Sequence, residues 1–279
     1  MGRLLLIGQD AALAGALRAS HHLKSHDIDT CGGPFEAHRL LRTRAFDLVV
    51  TDPTTSAAED LALLAELTEL RPGIKTIVLA PQLSSTDVIT ALRQHVFACF
   101  TRPIDYEEVA EMSRAAIEDV NWRDGIEVTS GLPYWITLRV SCRLITADRL
   151  TRFMTEYRSD LPSSERDLLM TAFREMLLNA MEHGAGFDPE KVIEVTAAQT
   201  ARAIVFHFRD PGTGFNRDDL SHAASTPVPD DVMKTVDERA ESGLRPGGFG
   251  MLIVRQIVDE LVYNERGNEV LLIKHLTPA

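Results

Sequence analysis

Short apolar runs and stretches with helical spacing alternate along the first half of the chain. Residues 3–7 form an apolar run that ends at a glycine, which is typical of a buried parallel strand. The stretch after it has helical spacing, with Leu13, Leu17 and Leu23 on the inside. Because this alternation continues, the first half predicts a doubly wound α/β fold with a parallel sheet. The predicted strands are 3–7, 46–51, 74–79 and 98–100, and the later helices span about 60–70, 85–94 and 106–120.

The second half has longer helical patterns and strands in which apolar and polar residues alternate. Together they predict an α+β sandwich with helices on one face of a mixed sheet. Residues 121–133 lose all periodicity and contain glycine and proline, which predicts a linker between domains 1–120 and 134–279. The predicted strands are 135–140, 191–198, 202–209 and 269–275, and the helices are about 146–158, 163–183 and 251–261, the second starting on a serine cap.

The composition argues against some classes of protein but does not identify the function. A length of 279 residues suggests about two domains, and the net charge of -12 argues against a general nucleic-acid-binding protein. The three cysteines stand alone, so we expect a reducing cytoplasm and no disulfide framework. No apolar run is long enough to suggest a signal peptide or a membrane span.

The stretch from Phe173 to Gly184 has two faces when it is read as a helix. Glu175, Asn179 and His183 fall on one side, and an apolar stripe falls on the other. One interpretation is a surface helix with a hydrated face. The other is a functional helix, because asparagine is a poor helix former and two glycine-bearing segments follow later in the chain.

The layout of residues 1–120 resembles the receiver domain of two-component response regulators. Asp52, in Asp-Leu-Val-Val-Thr-Asp-Pro, stands where a receiver carries its phosphorylated aspartate. The resemblance is partial in chemistry, because a receiver needs an acidic pair to hold Mg²⁺, and also a hydroxyl residue and a lysine. Those places hold Gly8, Gln9, Ala80 and Arg102, with acidic Asp10 one position after the pair.

Two interpretations of Asp52 follow from these losses. It is a degenerate phosphoacceptor in a pseudo-receiver used for dimerisation or partner docking, and its carboxylate pairs with Arg102 or with a helix terminus. Alternatively it still accepts a phosphoryl group.

Three segments in the second half form an ordered series. Glu-Met-Leu-Leu-Asn-Ala-Met-Glu-His-Gly at 175–184 comes first, a strand running into Asp-Pro-Gly-Thr-Gly at 210–214 second, and Gly-Gly-Phe-Gly at 247–250 before an apolar helix third. Each alone could be a plain turn or a helix start. In this order they resemble the GHKL ATPase fold of histidine kinases, gyrase-type ATPases and anti-sigma-factor serine kinases over roughly residues 133–279, and they look most similar to the serine kinases.

The resemblance implies a role for the helix and for the strand end. Asn179 would bind Mg²⁺ through its amide oxygen, and Glu175 would act as the catalytic base near the γ-phosphate. Asp210 would accept a hydrogen bond from the adenine amino group, with Gly212 and Gly214 letting the backbone pass close to the base.

The third segment and its surroundings would bind the phosphates. Gly247, Gly248 and Gly250 would offer backbone N–H groups at a helix N-terminus, and residues 216–246 would form a lid. Arg245 either neutralises phosphate charge or is solvated. His183, which commonly follows the asparagine in this family, either contributes to the nucleotide site or packs.

The leading hypothesis is an ATP- and Mg²⁺-dependent protein serine/threonine kinase of the anti-sigma-factor type. Its expected substrate is a STAS-domain anti-anti-sigma protein and its second partner a sigma factor; a homodimer is expected, but no direct contact with nucleic acid or a membrane. One alternative is an ATP-gated binding module with little phosphotransfer. The other is a regulator whose receiver-like half is the working part.

Overall fold

The computed structural model describes residues 2–120, 123–158, 161–214 and 250–276. The chain divides into two compact units. The first comprises residues 1–128 together with 152–160, and the second comprises residues 129–151 together with 161–279. Among the described residues, no helix is both long enough and apolar enough to cross a membrane.

The first unit is built on a five-stranded sheet with the strand order β2-β1-β3-β4-β5. All the pairings in this sheet are parallel, as predicted, and the strand order is that of flavodoxin-like doubly wound folds. Its elements are β1 (Arg3–Ile7), α1 (Ala11–Ala19), β2 (Asp27–Cys31), α2 (Pro34–Thr43), β3 (Leu48–Thr51), α3 (Ala57–Leu70), β4 (Lys75–Ala80), α4 (Ser85–Arg93), β5 (Ala98–Thr101) and α5 (Tyr106–Glu118).

Burial explains which strands of this sheet could be recognised in the sequence. Every residue of the central strands β3 and β4 is buried, so both strands stand out as apolar runs. The edge strand β2 is half-buried and largely polar, and its apolar pattern is correspondingly weak. The strand β2 and the helix α2 that follows it were therefore not among the predicted elements.

The second unit contains a six-stranded sheet with the order β10-β11-β9-β8-β7-β6. The four pairings from β7 to β10 along this sheet are antiparallel, whereas a mixed sheet was expected. Its elements are β6 (Ile126–Leu132), β7 (Trp135–Ser141), α6 (Leu144–Tyr157), α7 (Ser163–Asn179), β8 (Val192–Gln199), β9 (Ala203–Arg209), α8 (Gly250–Ile257), β10 (Glu260–Tyr263) and β11 (Glu269–His275). Of these, β6 and α6 extend into the first unit.

Helix α7 packs its apolar face onto the core face of this sheet. The Phe173 ring lies 5.0 Å from the ring of Phe206 and 5.2 Å from that of Phe208, measured between centroids. All three rings are almost fully buried. Aromatic pairs in this range add about 0.5–1.5 kcal/mol beyond area burial. This packing fixes which face of α7 is left for polar chemistry.

Three local predictions were wrong. Residues 126–132, inside the expected linker, form the edge strand β6 beside β7. The expected helix over 251–261 ends at Ile257, because the following β-rich residues pair with β11 as β10. Helix α7 has Pro162 as its N-cap and no side-chain cap, so the expected serine cap is not used.

The second half of α6 belongs to the first unit and contributes to its interior. Glu156 is 1% exposed. Its carboxylate accepts hydrogen bonds from the backbone N–H of Thr101 at 3.2 Å and from the Thr101 hydroxyl at 2.7 Å. The Nε of Arg152 donates to the Cys99 carbonyl at 3.1 Å. Residues 152–157 therefore hydrogen-bond to backbone groups at the end of β5.

Asp60 on α3 gives the first unit a pH-dependent stability. Burial raises the pKa of this carboxyl to about 6, although the hydroxyls of Thr55 and Thr51 oppose the shift. Because the folded state keeps the proton to a higher pH than the unfolded chain does, stability is lost as the pH rises from about 4 to about 6.

We expect Asp60→Asn to stabilise the protein by about 1–2 kcal/mol at pH 8 and not at pH 4, as measured by urea unfolding. An equal effect at both pH values would contradict this expectation, and the exposed Glu111→Gln serves as control.

Candidate functional site

Two of the predicted polar residues meet the beginning of α8. A Cβ added to Gly250, the first residue of α8, would lie 2.4 Å from Oε2 of Glu175. One turn further along α7, the Nδ2 of Asn179 donates a hydrogen bond to the sulfur of Met251 at 3.6 Å. Glu175 and Asn179 are both half-buried. The structure therefore brings a carboxylate and an amide together beside the first described turn of α8, and the N-terminal part of a helix favours anions.

Helix α7 does not stop at Asn179 but continues as a π-helical turn, Ala180–Gly184. Such turns are rare and are frequent at functional sites. The turn carries Gly184 against the end of β9, where a Cβ on Gly184 would lie 2.2 Å from Cγ of Asp210. Only glycine fits there without moving the aspartate, so this close approach fixes the helix end against the Asp210 side chain.

Asp210 follows β9 and is held by its own loop. Its Oδ1 accepts a hydrogen bond from the Gly212 N–H at 2.8 Å. Burial raises the pKa of the Asp210 carboxyl, while the Gly212 N–H and the positive charge of Arg266 act in the opposite direction. A half-buried carboxylate with one oxygen already engaged is suited to accept a hydrogen bond from a ligand.

The remaining predicted residues of the site have different outcomes. Gly214 has a φ of +81°, which favours glycine, and its Cα packs against the Arg266 carbonyl. His183 is exposed, and no hydrogen bond or ion pair to another described residue draws its imidazole to Asp210. The predicted Arg245, Gly247 and Gly248, and the predicted lid at 216–246, lie outside the described residues.

The donor set agrees with a nucleotide and Mg²⁺. Magnesium prefers oxygen ligands and keeps several waters, so one amide oxygen from Asn179 together with phosphate oxygens is an adequate set. The glycines at 184 and 250 leave no space for a side chain beside Asp210 and Glu175. Because Glu175 and Asp210 each lie against a glycine backbone, the described residues fit the group that the sequence implies.

Gly184→Ala tests whether the close approach at Asp210 matters for binding. Its Cβ must displace the Asp210 side chain, so we expect affinity for ATP to fall about tenfold or more, as measured by calorimetry. Gly15→Ala is the matched control, because a Cβ on this helical glycine meets nothing within 4 Å. Equal affinities for the two variants would show that the position of Asp210 is not important for binding.

The Asp52 carboxylate in the first unit is buried and fully engaged. Its Oδ2 accepts hydrogen bonds from the backbone N–H groups of Gln9 at 2.5 Å and Asp10 at 2.8 Å. Its Oδ1 accepts from the Thr54 N–H at 3.1 Å and from the Thr54 hydroxyl. The side chain is 1% exposed, and Gly8, with φ +140°, packs directly against it.

The surroundings of Asp52 favour one of the two predicted pairings. Gln9 and Asp10 directly precede α1, so the carboxylate is bound at a helix terminus. Arg102 instead donates to the carbonyl of Pro53 at 3.4 Å. Asp10 caps α1 through its own Oδ1. Within the described residues, the single group of three potential metal ligands is His21, His22 and Glu107, which does not include Asp52.

We expect Asp52 to resist phosphorylation, because a phosphoryl group would have to break its four hydrogen bonds and has no carboxylate pair to hold Mg²⁺. Incubation with a small phosphodonor and Mg²⁺, followed by intact-mass measurement, checks this. A separate receiver domain with a complete acidic pair serves as the positive control, which shows that the phosphodonor is active. A gain of one phosphate that Asp52→Ala abolishes would overturn the expectation.

Sequence reasoning missed several residues that build the second unit's site. Met251 contacts Asn179 through its sulfur, and Gly184 lies against the Asp210 side chain. Asn268 and Arg266 support the loop after β9 from the turn that precedes β11. The dense asparagine and glycine content of residues 264–268 was the one available signal.

Comparison with known proteins finds a match for most of the second unit. Residues 140–274 match the family model of the histidine kinase-like ATPase domain. The transcriptional regulatory proteins GlrR of Escherichia coli (strain K12) and QseF of Escherichia coli O157:H7 are each 28% identical over 148 residues, or 51% of this chain and 33% of theirs. The chain thus spans about a third of the length of these curated relatives.

Solved structures of receiver domains also resemble part of the chain. The CheY-like receiver domain protein of Methanospirillum hungatei JF-1 is 18% identical, with a TM-score of 0.38, covering 43% of this chain and 95% of that one. The HemR receiver domain of Leptospira biflexa is 19% identical, with a TM-score of 0.38, covering 44% and 99%. The strand order of the first unit is the one that receiver domains share with other flavodoxin-like folds. The chain therefore has a first unit with a receiver-like strand order, and its residues 140–274 match the model of the histidine kinase-like ATPase domain.

Proposed function

We propose that this protein is an ATP- and Mg²⁺-dependent protein serine/threonine kinase of the anti-sigma-factor type. The observation that carries the proposal is the position of the Glu175 carboxylate at the first residue of α8, with Asn179 one turn away. A carboxylate beside a phosphate-binding helix terminus is suited to act as a general base.

In this proposal each residue of the site has one task. Asp210 accepts a hydrogen bond from the adenine amino group, and the start of α8 holds phosphate oxygens. Asn179 gives its amide oxygen to Mg²⁺, which neutralises phosphate charge when it is bound. Glu175 takes the proton of a serine hydroxyl while that oxygen bonds to the γ-phosphorus and the bond to ADP breaks.

The expected substrate is a STAS-domain anti-anti-sigma protein, and a sigma factor is the expected second partner. This part of the proposal is supported by the short motif at 175–184 and by the segment at 245–261. The receiver-like domain acts as a pseudo-receiver that regulates or localises the kinase, which agrees with the engaged state of Asp52.

The test is affinity capture from the native cell with and without Mg-ATP, followed by phosphosite mapping of what binds. A phosphorylated serine on a STAS-domain protein, lost when Glu175→Gln is used as bait, is the expected result. Nucleotide-dependent capture without any phosphosite would contradict the kinase and favour an ATP-gated binding module. Capture unaffected by nucleotide would contradict both.

A further inference from the structure

The turn between β10 and β11 is organised by a single asparagine. Oδ1 of Asn264 accepts hydrogen bonds from the backbone N–H groups of Gly267 at 2.7 Å, Asn268 at 3.1 Å and Glu269 at 3.2 Å. Its Nδ2 donates to Oδ1 of Asn268 at 3.0 Å, and Asn268 is 8% exposed. A turn with this many internal hydrogen bonds is a fixed platform rather than a simple connection.

This platform holds the loop from Asp210 to Gly214 at both of its ends. At the first end, the Asp210 N–H donates to the Asn268 carbonyl at 3.0 Å, and the Asn268 Nδ2 donates to the Asp210 carbonyl at 3.2 Å. At the other end, the Nε of Arg266 donates to the Thr213 carbonyl at 3.3 Å. A Cβ on Gly214 would lie 1.8 Å from the Arg266 carbonyl oxygen, so the two backbones are in direct contact.

Arg266 is also the cation that acts on the Asp210 carboxylate. Burial raises the pKa of that carboxyl, and the guanidinium charge opposes the increase. The carboxylate must be ionised to act purely as an acceptor, and only an acceptor suits the exocyclic amino group of adenine. Arg266 therefore favours both the position and the charge state that an amino-bearing purine needs.

We propose that Arg266 is a positioning residue for base selection: by bonding to the Thr213 carbonyl and packing against Gly214, it holds the loop that presents the Asp210 carboxylate as an acceptor for a purine with a 6-amino group. This inference rests on the proposed nucleotide-binding function and adds a residue to it. Arg266 is assigned no contact with the substrate and acts through Asp210 and the loop.

The experiment compares Arg266→Gln and Arg266→Lys with the unmodified full-length chain. Dissociation constants are measured by calorimetry for ATP and for inosine triphosphate, which has a carbonyl in place of the 6-amino group. Arg202→Gln is the matched control, because Arg202 is an exposed arginine in the β8–β9 turn of the same sheet. Thermal unfolding of every variant is recorded in parallel.

We expect Arg266→Gln to weaken ATP binding about tenfold while the affinity for inosine triphosphate changes much less, so that the preference for ATP shrinks. Arg266→Lys keeps the charge and is expected to recover part of the preference, and Arg202→Gln to leave it unchanged. A purely structural role would weaken both nucleotides equally and lower the unfolding temperature, which would overturn the inference.

The outcomes separate this inference from the function on which it rests. Normal ATP binding and an unchanged preference in Arg266→Gln would overturn the role of Arg266 alone. No ATP binding by the unmodified chain would overturn the proposed function and this inference together.

Discussion

Asn179→Ala is expected to abolish Mg²⁺-dependent binding of ATP. The Asn179 amide lies beside Met251 at the start of α8, with its nitrogen engaged by the Met251 sulfur at 3.6 Å. This contact engages the amide nitrogen, and in the proposed site the amide oxygen is the ligand for Mg²⁺. Alanine removes that ligand, and the loss of affinity in the presence of Mg²⁺ should be about a hundredfold or greater.

Calorimetry with ATP and Mg²⁺ measures this loss directly. Gln256→Ala is the matched control, because Gln256 carries an amide on the exposed side of the same helix α8. We expect the control to bind as the unmodified chain does. Tight binding of Mg-ATP by Asn179→Ala would remove Asn179 from the metal site.

Glu175→Gln is expected to keep nucleotide binding and to lose turnover by on the order of a hundredfold or more. Glutamine has the length and shape of glutamate but cannot take a proton from a hydroxyl group. The carboxylate already lies at the start of α8, so the substitution changes its chemistry and preserves its place. Steady-state turnover and equilibrium binding, measured on the same preparation, separate the two effects.

Two further variants sharpen this prediction. Glu165→Gln, in the first turn of the same helix, is the control and should keep full turnover. Gly250→Ala leaves Glu175 in the chain but forces its carboxylate to move, since the new Cβ would lie 2.4 Å from Oε2. We expect turnover to fall here as well. Unchanged turnover in Glu175→Gln would mean that Glu175 only positions water or packs.

Much of the fold could be predicted because fully buried strands appear in the sequence as apolar runs. The central strands β3 and β4 are buried throughout and appear as apolar runs, whereas the half-buried strand β2 does not. Strand β6 was missed for a similar reason, since it is an edge strand with a largely exposed set of residues. In the continuous apolar stretch after Gly250, helix and strand could not be separated by composition alone.

The residues of the candidate site differ in whether the sequence could predict them. The proposed functional residues Glu175, Asn179 and Asp210 could be singled out because the order of the segments that contain them resembles a known ATPase fold. Their supports could not be, because they act through tertiary contacts. The π turn before Gly184 and the Asn264 platform depend on how distant segments pack, and neither has a periodic signature.

The central claim is that α7 and the start of α8 form a Mg²⁺-dependent ATP site. Its most direct test is calorimetric titration of ATP into the unmodified chain, once with Mg²⁺ and once with a metal chelator. The account predicts saturable one-site binding with Mg²⁺, and its loss both with the chelator and in Asn179→Ala. No binding under either condition, or equal binding under both, would contradict it.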